Sequence, residues 1–144
     1  YESFRESHDV QRDLCKRLKK AANDSEQRKV IFNELRIELA AHAAAEERFL
    51  YAPILMKDAG LNSSRHALAE HHELDELVEK IQELKDSSRK WPKLIGQLID
   101  DVKHHLKEEE TKFFQVSGKI LNETQKQKLA TQYERDYRRM KKSL

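Results

Sequence analysis

Apolar residues recur along this chain at spacings of three, four and seven, the period of helices with one buried face, and no stretch alternates as a strand requires. Polar, turn-forming stretches interrupt the pattern at "NDS" (23–25), "DAGLNSS" (58–64), "DSSRKWP" (86–92) and "SGKILNET" (117–124). Five helices are therefore predicted, over about residues 3–22, 26–57, 64–85, 92–116 and 123–142. Long amphipathic helices with short connections predict an all-α fold: an up-down-up-down four-helix bundle with an additional C-terminal helix. By length, residues 1–144 are expected to form one domain, with the bundle over about 3–116. Pro53, late in the second helix, is expected to kink or end it. Asn122 to Gln125 offers a start for the fifth helix, whose Leu129, Tyr133, Tyr137 and Met140 form a stripe able to lie across the bundle.

The apolar stripes are broken by particular polar residues. In the second helix, Phe32, Leu35 and Leu39 continue through His42 and Glu46 to Phe49, Leu50 and Pro53. In the fourth, Leu94, Leu98 and Val102 continue through His105 and Glu109 to Phe113, whereas His104 is in phase with Gln97, Asp100 and Asp101. The stretches "HAAAEERFLYAP" and "HLKEEETKFFQV" thus repeat a His-x3-Glu pattern on an inward face. His71 shares a face with Leu68, Leu74, Val78 and Ile81, and His8 with Phe4, Cys15 and Leu18. At about 1.5 Å per residue, His8 lies level with His42 and His71 with His105, while Glu46 and His71 differ by roughly one turn.

Burying two carboxylates costs several kcal/mol each unless something compensates them, and a cation between them would do so. Imidazole with carboxylate suits iron, manganese or zinc. The count of donors suggests two ions. His8 and His42 would serve one and His71 and His105 the other, with Glu46 and Glu109 bridging and positions left free for an exogenous ligand. An apolar lining from Phe49, Leu50 and Phe113 favours small uncharged ligands such as O2 or NO. His66, His72 and His104 are read as surface residues, and Glu70, Glu108 and Glu110 as parts of solvated faces. Trp91, Tyr133 and Tyr137 are read as packing and helix-cap residues, and Cys15 as a small buried hydrophobe.

Charge narrows the partners. Lys and Arg number 28 against 26 Asp and Glu, a net charge of +2, and the two signs are interleaved. That leaves no basic field for nucleic acid or an anionic membrane, and the RRMKK run reads as a solvated helix end. A single cysteine excludes an intramolecular disulfide, a four-cysteine zinc site and an iron–sulfur cluster. With no signal-peptide core and no membrane-spanning run, a cytoplasmic setting is expected. Beginning at Tyr1 rather than methionine is compatible with a fragment that has lost a leader.

The segments "ESHDVQRDLCKRL", "LAAHAAAEERFLYAP", "LAEHHELDELVEKI" and "VKHHLKEEETKFF" resemble, in order and spacing, the four helices of the hemerythrin-like family, the HHE cation-binding domain. The resemblance covers about residues 3–116, and the fifth helix is similar to an extension common in bacterial members. It implies a non-haem di-iron site with an oxo or hydroxo bridge, with His8, His42, Glu46, His71, His105 and Glu109 at ligand positions. Two departures stand out. Oxygen-carrying members have another histidine one turn before the third-helix ligand, where this chain has Ala67. Their fourth-helix carboxylate lies five residues beyond the histidine, a spacing that points to Glu110. The missing histidine argues against reversible O2 carriage and toward members implicated in iron, oxygen, nitric oxide or peroxide responses. The expected function is a di-iron protein that binds or responds to O2, peroxide or NO as sensor, store or detoxifier. The alternatives are a di-iron oxidoreductase with catalase-like or NO-reducing activity, and a metal-stabilised interaction bundle. Whether the protein is an enzyme, its protein partner and its oligomeric state stay open at this point.

Overall fold

The computed structural model describes all 144 residues, and every regular element in it is helical. Helix α1 spans Glu2–Lys20, α2 Ser25–Glu46, α3 Leu61–Gln82, α4 Trp91–Glu108 and α5 Glu123–Ser143. Helix α2 runs on through a π-helical segment, Glu47–Tyr51, and a last α-helical turn, Ala52–Leu55. Helix α4 does the same through Glu109–Phe113 and Phe114–Ile120. Helix α1 packs on α2 and α4, α3 on α4 and α2, and α5 lies along α2.

Local chemistry sets the starts. The Asp24 carboxylate accepts from the Glu26 and Gln27 amides, and Asn122 and Gln125 form a reciprocal capping box at the head of α5, where the sequence offered one. Gly60 closes the connection between α2 and α3, because a Cβ there would fall 2.5 Å from the Ile54 carbonyl oxygen. The observed ends also remove the one-turn discrepancy between Glu46 and His71. Glu46 lies nine residues before Leu55, and His71 ten after Leu61.

The two π segments change which residues face inward. The first begins directly after the glutamate of a His-x3-Glu pair, Glu46, and the second begins on such a glutamate, Glu109. A π turn holds one residue more than an α turn, so the phase beyond it slips. After Glu46 the buried residues are Leu50, Tyr51 and Ile54, while the expected Phe49 is only half-buried and Pro53 is exposed. Pro53 follows the distortion as the second residue of the Ala52–Leu55 turn. It does not account for the second π segment, which contains no proline.

Apolar packing forms two separate clusters. One gathers Leu14, Leu18, Leu35, Ile81, Leu98 and Val102; the other gathers Phe4, Leu50, Tyr51, Ile54, Phe114 and Tyr133. On each of α1 to α4 a buried histidine falls between a residue of one cluster and a residue of the other. A polar layer therefore crosses the bundle between two apolar ones.

A candidate metal centre between two apolar clusters

All six inward residues singled out from the sequence lie in that layer, each at most 5% exposed: His8, His42, Glu46, His71, His105 and Glu109. Their donor atoms fall into two groups that share both carboxylates. One is His8, His42, Glu46 and Glu109; the other is Glu46, His71, His105 and Glu109. Glu46 turns Oε2 toward His42 Nε2 at 3.2 Å and Oε1 toward His71 Nε2 at 3.3 Å. Glu109 turns Oε1 toward His8 Nε2 at 3.1 Å and Oε2 toward His105 Nε2 at 3.6 Å. His71 Nε2 and His105 Nε2 are 3.0 Å apart. Each carboxylate thus offers one oxygen to each group.

These donors fit a cation better than they fit one another. Nine buried side-chain N or O atoms in the chain lack a hydrogen-bond partner, and five are here: His8 Nε2, His42 Nε2, both Glu46 oxygens and Glu109 Oε1. An unsatisfied buried polar atom costs about 1–3 kcal/mol, so such a concentration points to a ligand. A cation about 2.1 Å from each donor in octahedral geometry spaces neighbouring donors by about 3 Å, the separation found here.

Each histidine is also held from behind, so that Nδ1 is engaged and Nε2 faces the layer. His8 Nδ1 bonds Glu110 Oε2 at 2.8 Å, His105 Nδ1 bonds Glu70 Oε1 at 2.9 Å, His71 Nδ1 bonds Glu47 Oε1 at 3.2 Å, and His42 Nδ1 bonds the Tyr133 hydroxyl at 2.5 Å. Arg12 in turn donates to Glu110 Oε1 at 2.6 Å, and Tyr133 meets Ser7 Oγ at 2.7 Å. A proton on Nδ1 leaves the Nε2 lone pair free, the tautomer a metal ligand requires.

Three of these supports depart from the sequence expectation. Glu70 and Glu110 were expected on solvated faces and Tyr133 among packing and cap residues, yet each holds a histidine. The doubled acids Glu46-Glu47 and Glu109-Glu110 were a usable signal: in both copies the first glutamate enters the layer and the second holds a histidine of another helix. Helical spacing does not place Tyr51 inward, but the π turn rotates it there. Its fully buried hydroxyl donates to Glu109 Oε2 and lies 3.3 Å from His71 Nε2, beside the second group.

Without a cation, protons must relieve the crowding of charge. Burial and the Glu46 charge push the Glu109 carboxyl up to about 8. Burial acts against a charged His71, but bonds to Glu46 and Glu47 outweigh it and raise that imidazole to about 10. Burial and the nearby Glu109 charge drive the Tyr51 hydroxyl well above its ordinary value. At His42 and His105 burial prevails instead and lowers the imidazoles.

A surface crevice of about 220 Å³ between α3 and α4 reaches this layer, lined among others by His66, Ala67, Glu70, His105, Glu109 and Phe113. The small Ala67 side chain forms part of its wall, at the position where a bulkier residue would narrow it.

The chain is 29% identical over 112 residues to a DNA nickase from Nostoc sp., a match that covers 78% of this chain and 32% of that protein. This chain therefore spans about a third of the length of that relative. No solved structure gives a significant match. The family model described as the hemerythrin HHE cation binding domain matches residues 1–116, the stretch that carries all six buried histidines and glutamates of the layer, and the chain belongs to that family.

Proposed function

We propose that this chain is a non-haem di-iron protein that binds or responds to O2, peroxide or NO as a sensor, store or detoxifier. The observation that carries the reading is the pair of buried donor groups sharing Glu46 and Glu109. His8 and His42 would hold one ion and His71 and His105 the other, with the two carboxylates bridging and the Tyr51 hydroxyl beside the second. Iron held there would supply redox chemistry and affinity for small oxygen or nitrogen ligands. The protein's own part is to fix the four imidazoles through their Nδ1 bonds and to limit water with Leu50, Phe113 and Phe114. The reading takes the architecture as an up-down-up-down four-helix bundle, supported by the ring of packing among α1 to α4. It includes no nucleic-acid or membrane partner, since 28 basic and 26 acidic residues are interleaved, and it takes the setting as cytoplasmic.

The test is metal analysis with an optical spectrum of aerobically purified protein. Two irons per chain with a near-ultraviolet charge-transfer band are expected, and fully stable protein without metal would overturn the proposal. A second reading, a di-iron oxidoreductase with catalase-like or NO-reducing activity, is favoured by the crevice at Ala67, which gives a small substrate a path to His105 and Glu109. Steady-state peroxide consumption by the iron-loaded protein separates enzyme from binder.

A further inference from the structure

The His-x3-Glu spacing recurs outside the buried layer, at His66–Glu70 on α3 and His104–Glu108 on α4, and the two pairs face each other. His66 Nε2 lies 2.8 Å from Glu108 Oε1 and 3.7 Å from Glu70 Oε2. His104 Nε2 lies 2.9 Å from Glu108 Oε2 and 3.8 Å from Glu70 Oε2. Two imidazoles from different helices thus converge on the same two carboxylates. The carboxylate side chains are only 15% and 18% exposed, and Lys112 reaches Glu108 at 3.9 Å from a largely solvated position. His72–Glu76 shows what the same spacing does alone: a 2.8 Å pair, exposed on both sides, with no second pair opposite.

We propose that His66, Glu70 and Glu108, with His104 beside them, form an outer, exchangeable site for a divalent transition-metal cation, where a cation docks before passing along the crevice to the buried donors. Imidazole and carboxylate together select zinc, iron(II), cobalt(II) or manganese(II) over calcium or magnesium. Donors about 2.0–2.1 Å from a tetrahedral ion stand about 3.3 Å apart, and the 2.8 and 3.7 Å separations around His66 bracket that spacing. His66, Glu70 and Glu108 form a group able to hold an ion, and His104 stands beside it on the second Glu108 oxygen, outside the group itself. Three of the four line the crevice whose inner wall is His105 and Glu109. Glu70 joins the two sites physically, with Oε2 in the outer cluster and Oε1 on His105 Nδ1. Exposed histidines and open water make the outer site weaker than the buried one, as transit requires. Only the transit role rests on the buried layer being a metal centre.

The test titrates metal-free full-length chain with Co2+, reading stoichiometry by equilibrium dialysis with metal analysis and site filling by stopped-flow visible absorption. Wild type and His72→Ala should bind two tight equivalents and one weaker one. The surface double variant His66→Ala/His104→Ala should keep the tight two, lose the weaker one and fill the buried site several-fold more slowly. An unchanged weak equivalent in the double variant overturns the outer site and leaves the proposed function standing. Loss of the weak equivalent with unchanged filling rate overturns the transit role. A weak equivalent that responds to the double variant, with no tight equivalents at all, supports the outer site and sinks the proposed function instead.

Discussion

The Tyr133 hydroxyl lies 2.5 Å from His42 Nδ1, so the last helix of the chain supports the buried layer directly. Its stacked neighbour Tyr137, with ring centroids 5.8 Å away, bonds Glu38 instead and touches no histidine. Tyr133→Phe keeps the ring and deletes the bond. It should weaken metal retention by about 10–100-fold, whereas Tyr137→Phe should leave it unchanged. Competition against a chelator of known affinity measures both, and equal behaviour of the two variants would contradict this role for α5.

His105 and His104 are adjacent but turned about 100° apart, the first 4% exposed and the second on the surface. His105→Ala should remove metal from the buried layer. His104→Ala should retain both buried equivalents and affect only the outer cluster. Equal loss from the buried layer would mean that the two side chains do not differ in facing.

Gly60 has no room for a side chain, because an added Cβ would meet the backbone of Ile54. Gly60→Ala must move the α2–α3 connection and should cost about 1–3 kcal/mol, seen as a lower Tm. Gly96, where an added Cβ meets nothing within 4 Å, is the control: Gly96→Ala sits inside α4 and should be neutral or stabilising. Equal melting temperatures for Gly60→Ala and wild type would refute the close approach.

Burial pushes the Cys15 thiol up to about 11. The thiolate is the reactive form, so between pH 7 and 9 the folded protein should alkylate with iodoacetamide far more slowly than the unfolded chain. Because the folded value is raised, this group's contribution to stability is present below the ordinary thiol range and fades as pH rises toward 11. Mass spectrometry with and without denaturant checks the rate difference, and rapid labelling of folded protein at pH 7 would show that Cys15 is accessible.

Much of this molecule was legible along the chain. Helical periodicity located five helices and separated His105 from His104 and His71 from His72, because facing within one helix depends only on a rotation of about 100° per residue. The same periodicity singled out the six residues that meet in the buried layer. It failed where the helix itself changed. A π turn after Glu46 shifts the phase by one residue, so Tyr51 enters the core in place of Phe49, and local spacing carries no mark of that insertion.

Contacts between helices were decided only in three dimensions. Whether Glu70 meets His105, Tyr133 meets His42, or the His66 and His104 pairs face each other depends on axial offset and rotation between separate helices. Those are set by how two apolar clusters pack above and below the polar layer. The sequence by itself determined which side chains turn inward; tertiary packing determined which donor each one faces, since hydrogen-bond distances between helices respond to shifts far smaller than one helical turn.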